Sequence, residues 1–219
     1  MILAAGEGQR MQPLTRDRPK ALLPVNGRPL IQYLVESLAQ AGFQELVINL
    51  FYRGEMIEKF LGEGERFEMH IRYIRETELL ETGGGILNAL PLLGSEPFAV
   101  INADLYTEFD FTTLKRPAPQ SLGHLVMVDN PAHRTRGDFG IDKGGRLSME
   151  GERLTYSGIG VLSPRLFETA TKGRFPLRDL LIPAVAGGHL TGEHFREGWI
   201  DVGTPERYHE ACERAGEQT

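Results

Sequence analysis

The sequence predicts an α/β protein with a mostly parallel, mixed central sheet flanked by helices and a small antiparallel subregion. Three observations predict it. Short apolar runs alternate with amphipathic stretches through the first half, glycines and prolines punctuate the ends of those stretches, and the second half turns to Gly-rich alternation. A strand–helix–strand rhythm favours parallel pairing, because each helix carries the chain back to the same end of the sheet. At 219 residues the chain is long enough for one sizeable core.

The elements follow in order. "MILAA" reads as a short buried strand. "PLIQYLVESLAQAG" sets Leu30, Ile31, Leu34, Ser37, Leu38 and Ala41 on one helical face, with Pro29 at the start and Gly42 just past the end. "ELVINL" is the next strand and "RGEMIEKFLG" a short helix closed by Gly62. "FEMHIRYI" alternates as a strand does, with Phe67, Met69, Ile71 and Tyr73 on one side. "GGILNALPLLG" reads as a helix preceded by an open glycine loop, and "FAVINADLY" as a strand running into polar residues. "HLVMV" is a further strand. The stretch "GDFGIDKGGRLSMEGERLTYSGIGVL" predicts an antiparallel ribbon layered on the core. "PRLFETA" and "LRDLLIPAVAGG" are short helices, "WIDVG" a last strand, and "TPERYHEACERAG" a closing helix with Thr204 as N-cap and Pro205 at its first position.

Composition narrows the function. There is no apolar run of transmembrane length and no basic-then-apolar leader, and the single cysteine, Cys212, cannot close an internal disulfide. These features predict a cytoplasmic protein without membrane partners. The net charge of −6, from 24 Lys and Arg against 30 Asp and Glu, argues against a nucleic-acid partner. The first 28 residues nonetheless hold Arg10, Arg16, Arg18, Lys20 and Arg28 against Glu7 and Asp17 alone. A local positive patch on an acidic chain suits a small polyanion.

The opening "LAAGEGQRMQPLT" is consistent with that. Gly6 and Gly8 let the backbone approach a ligand and aim N–H groups at phosphate oxygens, Arg10 can grip two oxygens as a fork, and Lys20 adds a compact charge. The stretch lacks the third glycine of a dinucleotide fingerprint and the GK[ST] ending of a P-loop; a turn with solvated cations is the competing reading. Asp104, after the strand "FAVINA", and Asp201, within "WIDVG", each put an acid on an apolar strand. Mg²⁺ would pair with both, completing its shell with phosphate and water; salt bridges or a helix cap are the alternative. In "LETGGGI", Thr82 could cap the following helix. The glycines could admit a flat ring and read a base edge through their amides and carbonyls, or form no more than a flexible turn. No histidine or cysteine spacing suggests zinc.

"LAAGEGQRMQPLTRDRPKALLPVNGRPLI" resembles the N-terminal signature of the sugar-1-phosphate nucleotidyltransferases, and "INADLY", "YSGIGVL" and "WIDVGTPE" fall in that family's order. The resemblance reaches about Tyr208. Within the family, "LETGGGI", "VDNP", "RGDFG" and "EHFREGWIDVG" are most similar to the uridylyltransferases that act on N-acetylmuramate α-1-phosphate in cell-wall recycling. The "EKP" sugar-site motif of larger members is absent, and the length of 219 residues predicts no acyltransferase extension.

The resemblance implies a Rossmann-like fold in one domain over residues 1–219. The nucleotide-binding part would span about 1–115, the sugar-binding part, with the antiparallel subregion, about 116–203, and the closing helix about 204–215. It implies UTP and a sugar 1-phosphate as substrates and Mg²⁺ as cofactor. Ala4, Ala5, Gly6 and Gly8 would contact the nucleotide, and Arg10 and Lys20 would neutralise phosphate charge. Thr82, Gly83 and Gly84 would line uracil and Asn102 would approach the ribose. Asp104 and Asp201 would hold the metal, with Arg10, Lys20 and Asp104 as the catalytic group. Asp138 and Gly158 would face the sugar phosphate. The lactyl carboxylate of a muramate sugar calls for a cation, and Arg136 is the first candidate, Arg134 the second; solvated loop charges are the competing reading of both. Thymidylyl-, guanylyl- and phosphocholine cytidylyltransferases of the same family remain alternatives, as does a non-catalytic nucleotide sensor. The sequence carries no signature of oligomeric state.

Overall fold

The fold is described from a computed structural model, in which residues 1–217 are described. The main sheet has seven strands, mixed in direction and flanked by helices. Its strands, in chain order, are β1 (Ile2–Leu3), β2 (Glu45–Leu50), β3 (His70–Arg75), β4 (Phe98–Asn102), β5 (Gly123–Val128), β6 (Thr155–Leu162) and β7 (Leu190–Phe195). The helices are α1 (Leu30–Gln40), α2 (Gly54–Leu61), α3 (Glu81–Leu93), α4 (Arg178–Ala186) and α5 (Pro205–Glu217). The chain divides into two compact units. Among the described residues no helix is long and apolar enough to cross a membrane.

One unit holds Ile2–Leu79, Asn102–Thr112 and the residues from Gly198 onward. Its three main strands are parallel, ordered β1-β2-β3, and the register Leu3↔Asn49↔Ile74 brings their carboxyl ends level. Ligand-binding loops of parallel sheets leave from that end. The Ala103 N–H donates to the Leu3 carbonyl at 3.0 Å, so the segment entering Asp104 starts beside the end of β1. A two-stranded ribbon pairs Leu105–Thr107 antiparallel to Trp199–Asp201. α1 buries Leu30, Ile31, Leu34 and Leu38 of the predicted face together with Val35, while Ser37 and Ala41 are only half-buried, and Gly42 and Gly62 close α1 and α2 with φ of 86° and 63°. Both positions favour glycine, which has no Cβ to resist a positive φ.

The core of this unit gathers residues far apart in sequence. Met11, Leu23, Val25 and Leu30 pack with Tyr106, Ile200, Val202, Ala211 and Ala215. The first loop is thereby anchored at Met11 (1% exposed) and the last strand at Ile200 and Val202.

The other unit comprises Met1, Leu80–Ile101 and Thr113–Glu197. Its strands run in the order β7-β5-β6-β4. β6 is antiparallel to both neighbours, whereas β7 is parallel to β5. Here the structure corrects the sequence reading twice. "TYSGIGVL" is a full strand of the main sheet rather than part of a layered ribbon, which is confined to Gly140–Ile141 against Leu147–Ser148. β7, "LTGEHF", carries few apolar residues and is absent from the predicted elements; it stands at the edge of the sheet, where the Gly192 N–H donates to the Gly145 carbonyl at 2.9 Å. The predicted strand from Phe67 begins only at His70, because Glu65–Phe67 form a 3₁₀ turn and Glu68 adopts φ 56°.

Met11→Ala removes an unbranched side chain from a packed cluster and should cost about 2–5 kcal/mol in urea unfolding. It should also speed amide exchange across Gly8–Met11, whose only apolar anchor it deletes.

Candidate active site

The first loop is built around two folded-back contacts. Gly8 takes φ 64°, and a Cβ there would meet Thr15 Cγ2 at 3.0 Å and Lys20 Cβ at 3.4 Å. The buried Thr15 hydroxyl donates to the Gly8 carbonyl at 2.8 Å, and the Met11 N–H donates to the same carbonyl at 2.9 Å. At Gly6 the opposite holds, since nothing lies within 4 Å of where its Cβ would stand. Arg10, next to the anchored Met11, is exposed. The loop is therefore held from below while its Gly6 side and Arg10 stay accessible.

Ala4 and Ala5 are buried at the loop's root. The Ala4 N–H donates to Asn49 Oδ1 at 2.9 Å, and Asn49 Nδ2 donates to Glu76 Oε1 at 2.6 Å. Glu76 thus fixes which way the Asn49 amide points, turning its oxygen to Ala4. Both side chains are buried. Sequence reading singled out neither, although an Asn inside the apolar run "ELVINL" is the kind of costly polar residue that signals a partner.

Lys20 reaches Asp104, with Nζ 2.5 Å from Oδ2, and the two side chains are 17% and 25% exposed. An ion pair this open adds about 1 kcal/mol or less to stability. Its importance is positional: it joins the first loop to the acid beyond β4. Asn102 ends β4, two residues before Asp104, and is half-buried. Asp201 sits between Ile200 (4% exposed) and Val202 (fully buried), and strand alternation turns it away from the core that holds its neighbours. The Val202 N–H donates to the Asp104 carbonyl at 2.8 Å, and Asp201 pairs with Leu105 in the ribbon, so the backbones of the two acids are adjacent. Asp201 Oδ1 is ion-paired with Arg207 Nη1 from the first turn of α5. Burial, then the charge of Arg10, hold the Arg207 guanidinium below its usual value, while Asp104 opposes the shift. Sequence reading missed Arg207, which carries no motif.

The donor set at these acids is two carboxylates, the hard oxygen ligands magnesium takes one or two at a time. In each, one oxygen already meets a cation of the chain, Lys20 or Arg207. These acids fit a divalent ion that brings its own water and phosphate ligands. Among the described residues no group of three or more His, Cys, Asp or Glu could hold a metal alone.

The remaining predicted residues belong to the other unit. Thr82, Gly83 and Gly84 form the first turn of α3, not an open loop. Leu80 holds the N-cap position, correcting the reading of Thr82 as the cap; the Thr82 hydroxyl instead accepts from the Leu177 N–H at 2.8 Å. The Gly83 and Gly84 N–H groups both donate to the Phe175 carbonyl, at 3.0 and 3.1 Å, so of the groups expected to read a base edge the amides are engaged within the chain. A Cβ on Gly84 would lie 2.2 Å from the Gly173 carbonyl oxygen. These glycines permit a close backbone approach. Asp138 Oδ2 accepts from the Tyr156 N–H and pairs with Arg134, both at 2.9 Å. Arg136 is exposed and makes no ion pair among the described residues. Gly158, with φ 83°, lies where the register of β6 on β5 shifts between Tyr156 and Ile159. Bulges of this kind re-aim side chains next to sites.

A parallel sheet with a glycine-and-cation loop at its carboxyl end, facing paired acids, is the layout of a nucleotide-transferring enzyme. The chain belongs to the nucleotidyl transferase family, whose model matches residues 1–148. It is 42% identical to the N-acetylmuramate α-1-phosphate uridylyltransferase of Neisseria meningitidis serogroup B, across 99% of this chain and 97% of that one. With the enzyme of the same name from Caulobacter vibrioides the identity is 32%, over 94% and 92% of the two chains. Among solved structures, HddC from Yersinia pseudotuberculosis in complex with GMP-PN has a TM-score of 0.82 at 27% identity, covering 98% of this chain and 97% of that one.

Asn49→Ala should destabilise by about 1–3 kcal/mol by leaving buried groups without partners. Asn49→Asp sets a second acid against Glu76. Two ionised carboxylates repel, so this variant should lose more stability relative to wild type at pH 8 than at pH 5, read by urea denaturation at the two pH values.

Proposed function

We propose that this nucleotidyltransferase moves UMP from UTP to N-acetylmuramate α-1-phosphate, giving UDP-N-acetylmuramate and pyrophosphate, in cytoplasmic recycling of cell-wall sugar. The observation that carries the substrate assignment is the likeness to the Neisseria enzyme, which runs essentially end to end in both chains. In the reaction, an oxygen of the sugar 1-phosphate forms a bond to the α-phosphorus of UTP as the bond from that phosphorus to the pyrophosphate oxygen breaks. The attacking phosphate is already ionised near neutral pH, so the chain needs no general base.

What the chain supplies is position and charge. The first loop, from Ala4 and Ala5 through Gly6 and Gly8, receives the triphosphate, and Arg10 and Lys20 offset its negative charge. Lys20 and Asp104 are held together, so the cation stays fixed at the end of β4. Asn102 faces the ribose, and Thr82 with the close-packed Gly83 and Gly84 shapes the place of uracil. Asp138, held by the Tyr156 N–H, and the bulge at Gly158 orient the sugar phosphate. Asp104 and Asp201 would hold Mg²⁺, which when bound neutralises charge on the phosphate oxygens.

Pyrophosphate release with Mg²⁺ and UTP should be faster with N-acetylmuramate 1-phosphate than with glucose 1-phosphate. The reverse preference would remove the muramate assignment and keep the reaction class. Lys20→Ala should lower kcat by about 10²–10³-fold, the range for losing one charge-stabilising group, with a melting temperature lowered by no more than about 4 °C; near-normal kcat would overturn the role of Lys20. For the lactyl group, Arg136→Ala should reduce kcat/KM only for sugars that carry it. A uniform effect, or none, would reassign the carboxylate to another cation.

A further inference from the structure

Arg207 stands where the paired acids meet the first loop, and nothing in the reaction so far employs it. Its guanidinium contacts Asp201 Oδ1, an atom sealed from solvent, and the two side chains are 13% and 32% exposed. It reaches that oxygen across Gly203. A Cβ on Gly203 would lie 2.6 Å from Arg207 Nη2 and 3.3 Å from Arg10 Nη2, so this glycine leaves a slot shared by two guanidinium groups. Arg207 is thus attracted by Asp201 and Asp104 and repelled by Arg10. Like charges this close need anions between or around them to stay.

We propose that Arg207 is a displaceable counter-ion, holding Asp201 until a divalent cation takes its place. The inference rests on the reading of Asp104 and Asp201 as metal ligands. A divalent ion on Asp201 Oδ1 and the Arg207 guanidinium compete for one oxygen, and both are positive, so each weakens the other. Once displaced, Arg207 still lies beside Arg10, and a triphosphate on Arg10 is the anion that would receive it. The arrangement penalises metal binding to the empty protein and relieves the penalty when a polyphosphate is present. Metal and nucleotide affinity are thereby coupled through one side chain.

The test is the affinity for Mn²⁺ alone, without nucleotide, followed by electron paramagnetic resonance of the free ion with the full chain. Arg207→Gln should bind Mn²⁺ about three- to tenfold more tightly than wild type, the size expected for removing a partly screened charge. Arg207→Lys keeps a cation and should remain within about twofold of wild type. Adding Asp201→Asn to Arg207→Gln should abolish the gain. Equal or weaker binding by Arg207→Gln, with binding still lost in Asp201→Asn, would overturn the displacement and leave the metal site standing. Mn²⁺ binding indifferent to Asp201→Asn in both backgrounds would overturn the metal reading and the displacement together. Matching melting curves for the variants exclude misfolding as the source of any loss.

Discussion

The apolar cluster that joins Met11 to Ile200 and Val202 is the constraint on which the site of this unit depends. Three of the charged groups placed there lie within two residues, in sequence, of a residue this cluster buries. Arg10 precedes Met11, Asp201 lies between Ile200 and Val202, and Asp104 is two residues from Tyr106. The hydrophobic effect is non-directional, but the backbone it fixes is not. Burying alternate residues of a strand leaves the ones between them nowhere to point except out of that core. Polar chemistry is thus aimed by apolar packing, and the ion pairs adjust it afterwards.

Charge is arranged on the same logic. Two acids and three cations converge in this unit, and neither ion pair is fully buried: Lys20 with Asp104, Arg207 with Asp201, and Arg10 near Arg207. Fully buried pairs would resist rearrangement, because removing one partner strands the other in a medium of low dielectric. Pairs that keep some contact with water exchange partners at lower cost. That suits a surface whose visitors are a highly charged anion and a cation. The Asn49–Glu76 pair is the contrast, buried and holding the Ala4 N–H.

Much of this was legible in the sequence, for physical reasons that also mark where legibility ends. Apolar runs such as "ELVINL" and "FAVIN" specify strands by composition alone, and Gly42 and Gly62 mark helix ends because only glycine accepts their φ cheaply. β7 escaped notice because an edge strand is held by backbone pairing, which leaves no pattern in "LTGEHF". The alternation of "TYSGIGVL" predicts a strand but not its partners, so its place between β4 and β5 could not be read from it. The triple glycine suggested open space; the structure packs Gly83 against Phe175 and Gly84 against Gly173, a purpose equally served by lacking a Cβ. For the site, a long motif pointed to the first loop and the two acids, whereas the pairing of Lys20 with Asp104 comes from the fold and has no trace in the spacing. Arg207 was invisible because its meaning comes wholly from Gly203 and Asp201 beside it.

The unit that carries the paired acids is stitched from the first 79 residues, a short middle passage and the stretch from Gly198 onward. Its interior therefore has a timetable. As the chain leaves the ribosome, Met11, Leu23, Val25 and Leu30 emerge early and wait for Ile200, Val202, Ala211 and Ala215 to bury them. Through nearly all of synthesis the nascent chain exposes half of a core with its complement still unmade. The other unit, apart from Met1, lies wholly between Leu80 and Glu197 and can close first. Order of assembly thus runs opposite to order of translation for the amino-terminal loop: the part made first is the part finished last.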